Sequence, residues 1–207
     1  YARTSAVVGT VAAWVKMLQG LIFPNLLIKM KNNKERLLGI VIGILVSLLI
    51  IGPFMIASGE GIIDLFHYYF LTEGDNASGG MSLINLLIRG GVDIPSSAGI
   101  IITVAVLLLS YFIAYRYKLD IWRSAMLTTV LFLCVYPMIR LGYFIIPFTF
   151  FSLWAVKDKN VFFKLIIMYV LLFIGQGIEA EGIPFLASID GWLISFAFVL
   201  AGLLVML

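Results

Sequence analysis

The chain has 207 residues, of which 62% are hydrophobic and only 12% charged, with a mean hydropathy of +1.11. That composition lies far outside the range of soluble domains and predicts an integral membrane protein. The single Cys134 excludes a disulfide framework, the single His67 excludes a bis-histidine haem, and a net charge of +3 without basic blocks argues against nucleic-acid binding, so no metal and no cofactor is expected.

A helix that crosses about 30 Å of hydrocarbon needs about 20 mostly apolar residues. Seven stretches approach this, at residues 5–28, 38–57, 98–115, 124–138, 142–156, 161–175 and 191–207. The expected fold class is all-α: a multi-pass helical membrane protein with about seven transmembrane helices and two interfacial helices, forming a single transmembrane domain over residues 1–207. The first stretch carries Lys16 near its middle, where a lysine costs roughly 2.5–3.5 kcal/mol to insert. Gln19 shares its face, and Pro24-Asn25 predict a kink one to two turns later. In the second stretch Gly39 and Gly43 have the spacing of a close helix contact.

Residues 58–97 are too apolar for a free loop and form the outer-face segment. Ile62, Leu65, Phe66 and Tyr69 share one face of an interfacial helix from which Asp64 and His67 point elsewhere. A polar turn follows, with an Asn76-Ala77-Ser78 glycosylation pattern. A second short helix over residues 81–89 places Met81, Ile84, Leu87 and Ile88 on one side and Ser82, Asn85 and Arg89 on the other, aimed away from lipid, and Gly90-Gly91 ends it. This pair either caps the outer ends of the spans or roofs a cavity in which His67 and Arg89 face a substrate. Farther on, only Ile139-Arg140-Leu141 separates the fourth and fifth stretches, which predicts a tight hairpin bent at Pro137. Arg140 at its tip presents a planar fork suited to phosphate.

Alternate loops hold Lys29, Lys31, Lys34 and Arg36, then Arg116, Lys118 and Arg123, then Lys157, Lys159 and Lys164, most of the 14 basic residues. Those loops are assigned to the cytoplasm. The acids Glu60, Asp64, Glu73, Asp75, Asp93, Glu179, Glu181 and Asp190 fall on the other side. Seven crossings then put the N-terminus outside and the C-terminus in the cytoplasm, in a prokaryotic plasma membrane or an endoplasmic reticulum membrane. Entry from outside at Tyr1 without a signal peptide leads to the expectation that an upstream portion precedes this chain.

The layout resembles the C-terminal part of the GT-C glycosyltransferases of the mannosyltransferase-like kind. The small-residue run from Gly9 to Lys16 with Phe23-Pro24 after it, the outer stretch from Tyr68 to Leu87, and Tyr136-Pro137-Met138-Ile139-Arg140-Leu141-Gly142-Tyr143-Phe144 carry the resemblance. It implies transfer of a sugar from a polyprenyl-phosphate donor at the outer face, with Arg140 and Lys16 as lipid-phosphate ligands and Arg89 and His67 as further candidates. The family's acidic catalytic motif has no counterpart in residues 1–207, so no catalytic residue is assigned. The implied partners are membrane lipids, the polyprenyl-phosphate-sugar donor and partner membrane subunits. The alternatives are a non-catalytic membrane subunit, in which Lys16 pairs with a partner's carboxylate, and a transporter or lipid-flipping module.

Overall fold

The computed structural model describes residues 2–15, 17–67, 82–136, 152, 155–156, 159–180 and 197. Among these residues every regular element is helical: α1 (Ala2–Val15), a 3₁₀ helix (Met17–Ile22), α2 (Phe23–Lys29), α3 (Asn33–His67), α4 (Leu83–Arg89), α5 (Ser96–Arg116), α6 (Ile121–Val135) and α7 (Lys159–Ala180). Two stretches, Asn33–Asp64 and Ser97–Arg116, are long and apolar enough to cross a membrane. These correspond to the second and third expected spans. The fourth survives as the shorter α6, and the sixth lies within α7. The stretches expected at 142–156 and 191–207 and the hairpin bend at Pro137 fall mostly or wholly outside the described residues.

The first expected span is not one crossing. A Cβ placed on Gly9 would stand 3.0 Å from Leu26 Cδ1 and 3.3 Å from Phe23 Cδ2, and one on Gly20 would stand 3.3 Å from the Cβ of Ala13. In a continuous helix Gly9 and Leu26 would be about 25 Å apart, at about 1.5 Å per residue. The two limbs therefore run in opposite directions, α1 lying antiparallel to the 3₁₀ helix and α2 as a helical hairpin. Small residues explain why this works: Gly9, Ala13 and Gly20 bring the two backbones together where larger side chains would hold them apart. Pro24 is not a kink but sits in the first turn of α2, where its missing N–H would have had no intrahelical partner.

The next turn is built as a helix start. Asn32 Oδ1 accepts from the Glu35 N–H at 2.8 Å while Glu35 Oε2 accepts from the Lys31 N–H at 3.1 Å, a reciprocal cap that launches α3. α3 runs antiparallel to α2 and parallel to α1. A Cβ on Gly39 would meet Leu27 and Met30, and one on Gly43 would meet Phe23 and Thr10, so both glycines of the small-residue pair are contact points. Beyond them the helix is open, with Leu49 78% and Ile56 91% exposed. Non-helical backbone at Ser58 divides it, and the part beyond, to His67, covers the start of the expected first interfacial helix.

α4 reproduces the second. Ser82 and Asn85 of its polar side are fully buried together with Ile84 of its apolar side, with the Ser82 hydroxyl capping the Asn85 N–H at 3.3 Å, while Leu83 and Leu87 are exposed. Gly91 closes it at φ +89°, its N–H and that of Val92 donating to Ile88 and Leu87. α5 and α6 form an antiparallel hairpin through a turn in which Lys118 adopts φ +51° and Asp120 caps α6 by accepting from the Arg123 N–H at 2.9 Å. Ala114, Met126, Val130 and Leu133 belong to the buried core that this pair contributes to, and α7 buries Val161, Leu165 and Met168 at helical spacing.

Candidate functional site

A hairpin that stops inside an apolar bundle leaves backbone and side-chain polar groups that water cannot reach, and each needs a partner within the protein. Tyr111 on α5 supplies one, its hydroxyl donating to the Leu21 carbonyl of the 3₁₀ helix at 2.8 Å. The second is a polar seam. Asn25 on α2 is fully buried and its Nδ2 donates to Thr128 Oγ1 on α6 at 3.0 Å. Thr128 Oγ1 lies 3.1 Å from Ser110 Oγ on α5, and Ser110 donates to the Leu107 carbonyl at 2.7 Å. With the serine proton committed to that carbonyl, the threonine is the donor between the two hydroxyls. The relay thus runs from the carboxamide through two hydroxyls to a helix carbonyl.

Asn25 Oδ1, however, is buried with no hydrogen-bond partner among the described residues. Turning the amide over would only transfer the deficit to its nitrogen. A hydrogen bond such as that to Thr128 contributes about 1 kcal/mol, whereas an unsatisfied buried acceptor costs about 1–3 kcal/mol. The carboxamide is therefore a net expense, and Asn25→Leu, of similar volume, is expected to leave the thermal unfolding temperature in detergent unchanged or raise it. Thr128→Val, which strands the Asn25 amide nitrogen, lowers stability by about 1–3 kcal/mol. A large loss in Asn25→Leu would show that the oxygen has a partner which the polypeptide does not supply.

Lys16 and Arg140 lie outside the described residues. Their flanks are placed. Asn25 is level with Thr128, and from there the 3₁₀ helix and α6 both run away from the basic turns, the hairpin limb rising about 15 Å to Met17 and α6 about 12 Å to Tyr136. The backbone on the C-terminal side of Lys16 and the helix end four residues before Arg140 thus reach the same level. His67 and Arg89 are the last residues of α3 and α4, and both elements end away from the basic turns. Of the four candidates only His67 and Arg89 lie within described elements, each as the last residue of its helix.

Sequence reasoning singled out Lys16 and Gln19 and passed over Ser110, Thr128 and Tyr111. The available signal was the occurrence of single hydroxyl residues inside otherwise apolar helices, which stay buried there by bonding to a carbonyl or to one another. Among the described residues no group of three or more His, Cys, Asp or Glu side chains converges to hold a metal ion. Comparison with family models, with curated proteins and with solved structures returns no match to this chain.

Proposed function

We propose that this chain is a multi-pass membrane protein and forms part of a glycosyltransferase of the GT-C kind, which takes a sugar from a polyprenyl-phosphate donor at the face away from its basic turns. The observation that supports this most is the Asn25–Thr128 hydrogen bond, from which the limb that leads back towards Lys16 and the helix that leads on towards Arg140 both run away from the basic turns. In this reading two cations would meet a lipid phosphate that departs as an anion when the sugar is transferred. Arg140 would take two oxygens of the phosphate through its fork, and Lys16 would act as a point charge. Arg89 and His67 belong to the same face as further candidates.

The basic turns support an orientation in which residues 29–36 and 116–123 face the cytoplasm. Because α1 and α2 form a hairpin, Ala2 and Lys29 lie on one side, so the first described residues begin at the cytoplasmic face in this reading, not outside as seven crossings would require. Removal of a preorganised group that stabilises transition-state charge typically costs about 10²–10³ in rate. Arg140→Ala in the complete protein is accordingly expected to lower sugar transfer from a polyprenyl-phosphate donor by about 100-fold or more. Unchanged turnover together with unchanged donor affinity would overturn the assignment.

A further inference from the structure

At the opposite end of the bundle the two basic turns come together. Arg36, in the first turns of α3, donates through Nη2 to the Ile28 carbonyl of α2 at 3.3 Å and through Nη1 to Asn33 Oδ1 at 3.4 Å. Its guanidinium is thereby fixed across the gap between α2 and α3. Beside it opens a cleft of about 350 Å³ lined by Ile28, Lys29, Arg36, Tyr115, Arg116 and Lys118, with Ala114 at its floor. Among the described residues four cations from three helix ends line this space and no carboxylate does. Glu35 is turned to the Lys31 N–H, and Asp120 is engaged by Arg123 at 3.4 Å.

Such a convergence has no counter-charge of its own among the described residues, and an anion would complete it. Lys29 and Arg116 sit at the C-terminal ends of α2 and α5, where each helix dipole offers about half a negative charge; two halves do not balance four full positive charges. Arg36 adds a second deficit: its Nε is buried and has no acceptor among the described residues. The cleft is too small for a macromolecule and is rich in donors, as a phosphate group requires. Its position decides the source. It lies where α5, one of the two stretches long enough to cross a membrane, ends at Arg116, flanked by Tyr115 and Tyr117, which are 58% and 71% exposed. Aromatic and basic residues at a span's end mark the headgroup layer.

We propose that this cleft binds the phosphate of an anionic lipid headgroup on the cytoplasmic leaflet. The inference rests on the membrane part of the reading above and is independent of the transferase assignment and of Arg140. Binding to the folded state raises the unfolding temperature. The test measures that temperature for the full chain in neutral detergent with short-chain phosphatidylglycerol, short-chain phosphatidylcholine or inorganic phosphate. It compares the wild type with Arg116→Gln/Lys118→Gln and with the charge-matched Lys159→Gln/Lys164→Gln; all four side chains are exposed, so both variants fold. Phosphatidylglycerol is expected to raise the wild-type and Lys159/Lys164 variant temperatures by about 5 °C, to leave the Arg116/Lys118 variant unmoved, and to act far more strongly than the other two additives. An equal rise in both variants, or an equal loss in both, would mean unspecific attraction to charge and overturn the site. An equal response to inorganic phosphate would assign the cleft to a free anion and overturn the lipid. Retention of the chain in alkali-washed membranes reports the membrane reading separately.

Discussion

In a background where Cys134 is replaced by Ala, the double variant Ala13→Cys/Gly20→Cys is expected to form an intramolecular disulfide almost completely under mild oxidation. The Ala13 Cβ and a Cβ built on Gly20 are 3.3 Å apart, close to the roughly 3.5–4.5 Å that a disulfide spans. Were residues 5–28 a single helix, these positions would be two turns apart, about 10.5 Å along the axis, and no disulfide could close. The readout is loss of maleimide labelling at both cysteines, restored by reductant, in the monomer band. Persistent labelling of both thiols after oxidation would refute the hairpin. The result bears on function as well, since only limbs that run in opposite directions bring the neighbours of Lys16 to the level of the α6 end while returning Ala2 to the side of Lys29.

Gly43→Leu is expected to destabilise the bundle by about 1–3 kcal/mol, the usual cost of forcing extra atoms into a packed contact. A Cβ at this position already stands 3.0 Å from Phe23 Cζ and 3.4 Å from Thr10 Oγ1, so the remaining atoms of a leucine would push α3 off both limbs of the hairpin at once. The control lies on the same helix. Gly52 has nothing within 4 Å of its Cβ position, and Gly52→Leu should be tolerated with an unfolding temperature close to the wild type. Equal sensitivity at the two positions would mean that α3 is held by something other than the Gly39–Gly43 contact.

Composition alone was enough for the helical character of the described residues, and Gly90-Gly91 located the end of α4, whereas the caps at Asn32 with Glu35 before α3 and at Asp120 before α6 were legible but not read. The small-residue spacing at Gly39 and Gly43 was legible as a contact, but the partner was not. The hairpin escaped because hydropathy measures how apolar a segment is and not which way it runs; residues 5–28 satisfy the length of a crossing while two shorter limbs satisfy the same composition. The signals for reversal were present in Gly9, Ala13 and Gly20, whose placement permits a close antiparallel approach only if the chain turns. Of the candidate site, Lys16 was expected in the middle of a span, and the described flanks instead belong to two separate limbs. The seam was not legible, because pairing of Asn25, Thr128 and Ser110 depends on tertiary placement over separations of 103 and 18 residues.

That seam has a consequence for how the helices choose their mutual rotation. In a lipid environment apolar side chains gain little by preferring one neighbour over another, so a helix such as α6 could slide or turn against α5 at small cost. Hydrogen bonds do not tolerate this. Advancing α6 by one residue would turn Thr128 by about 100° and carry it about 1.5 Å, separating it from both Asn25 and Ser110 and stranding several polar atoms away from water. Three short polar side chains thus act as a register mark for α2, α5 and α6, selecting one alignment from a set that oily surfaces alone would leave nearly equal in energy.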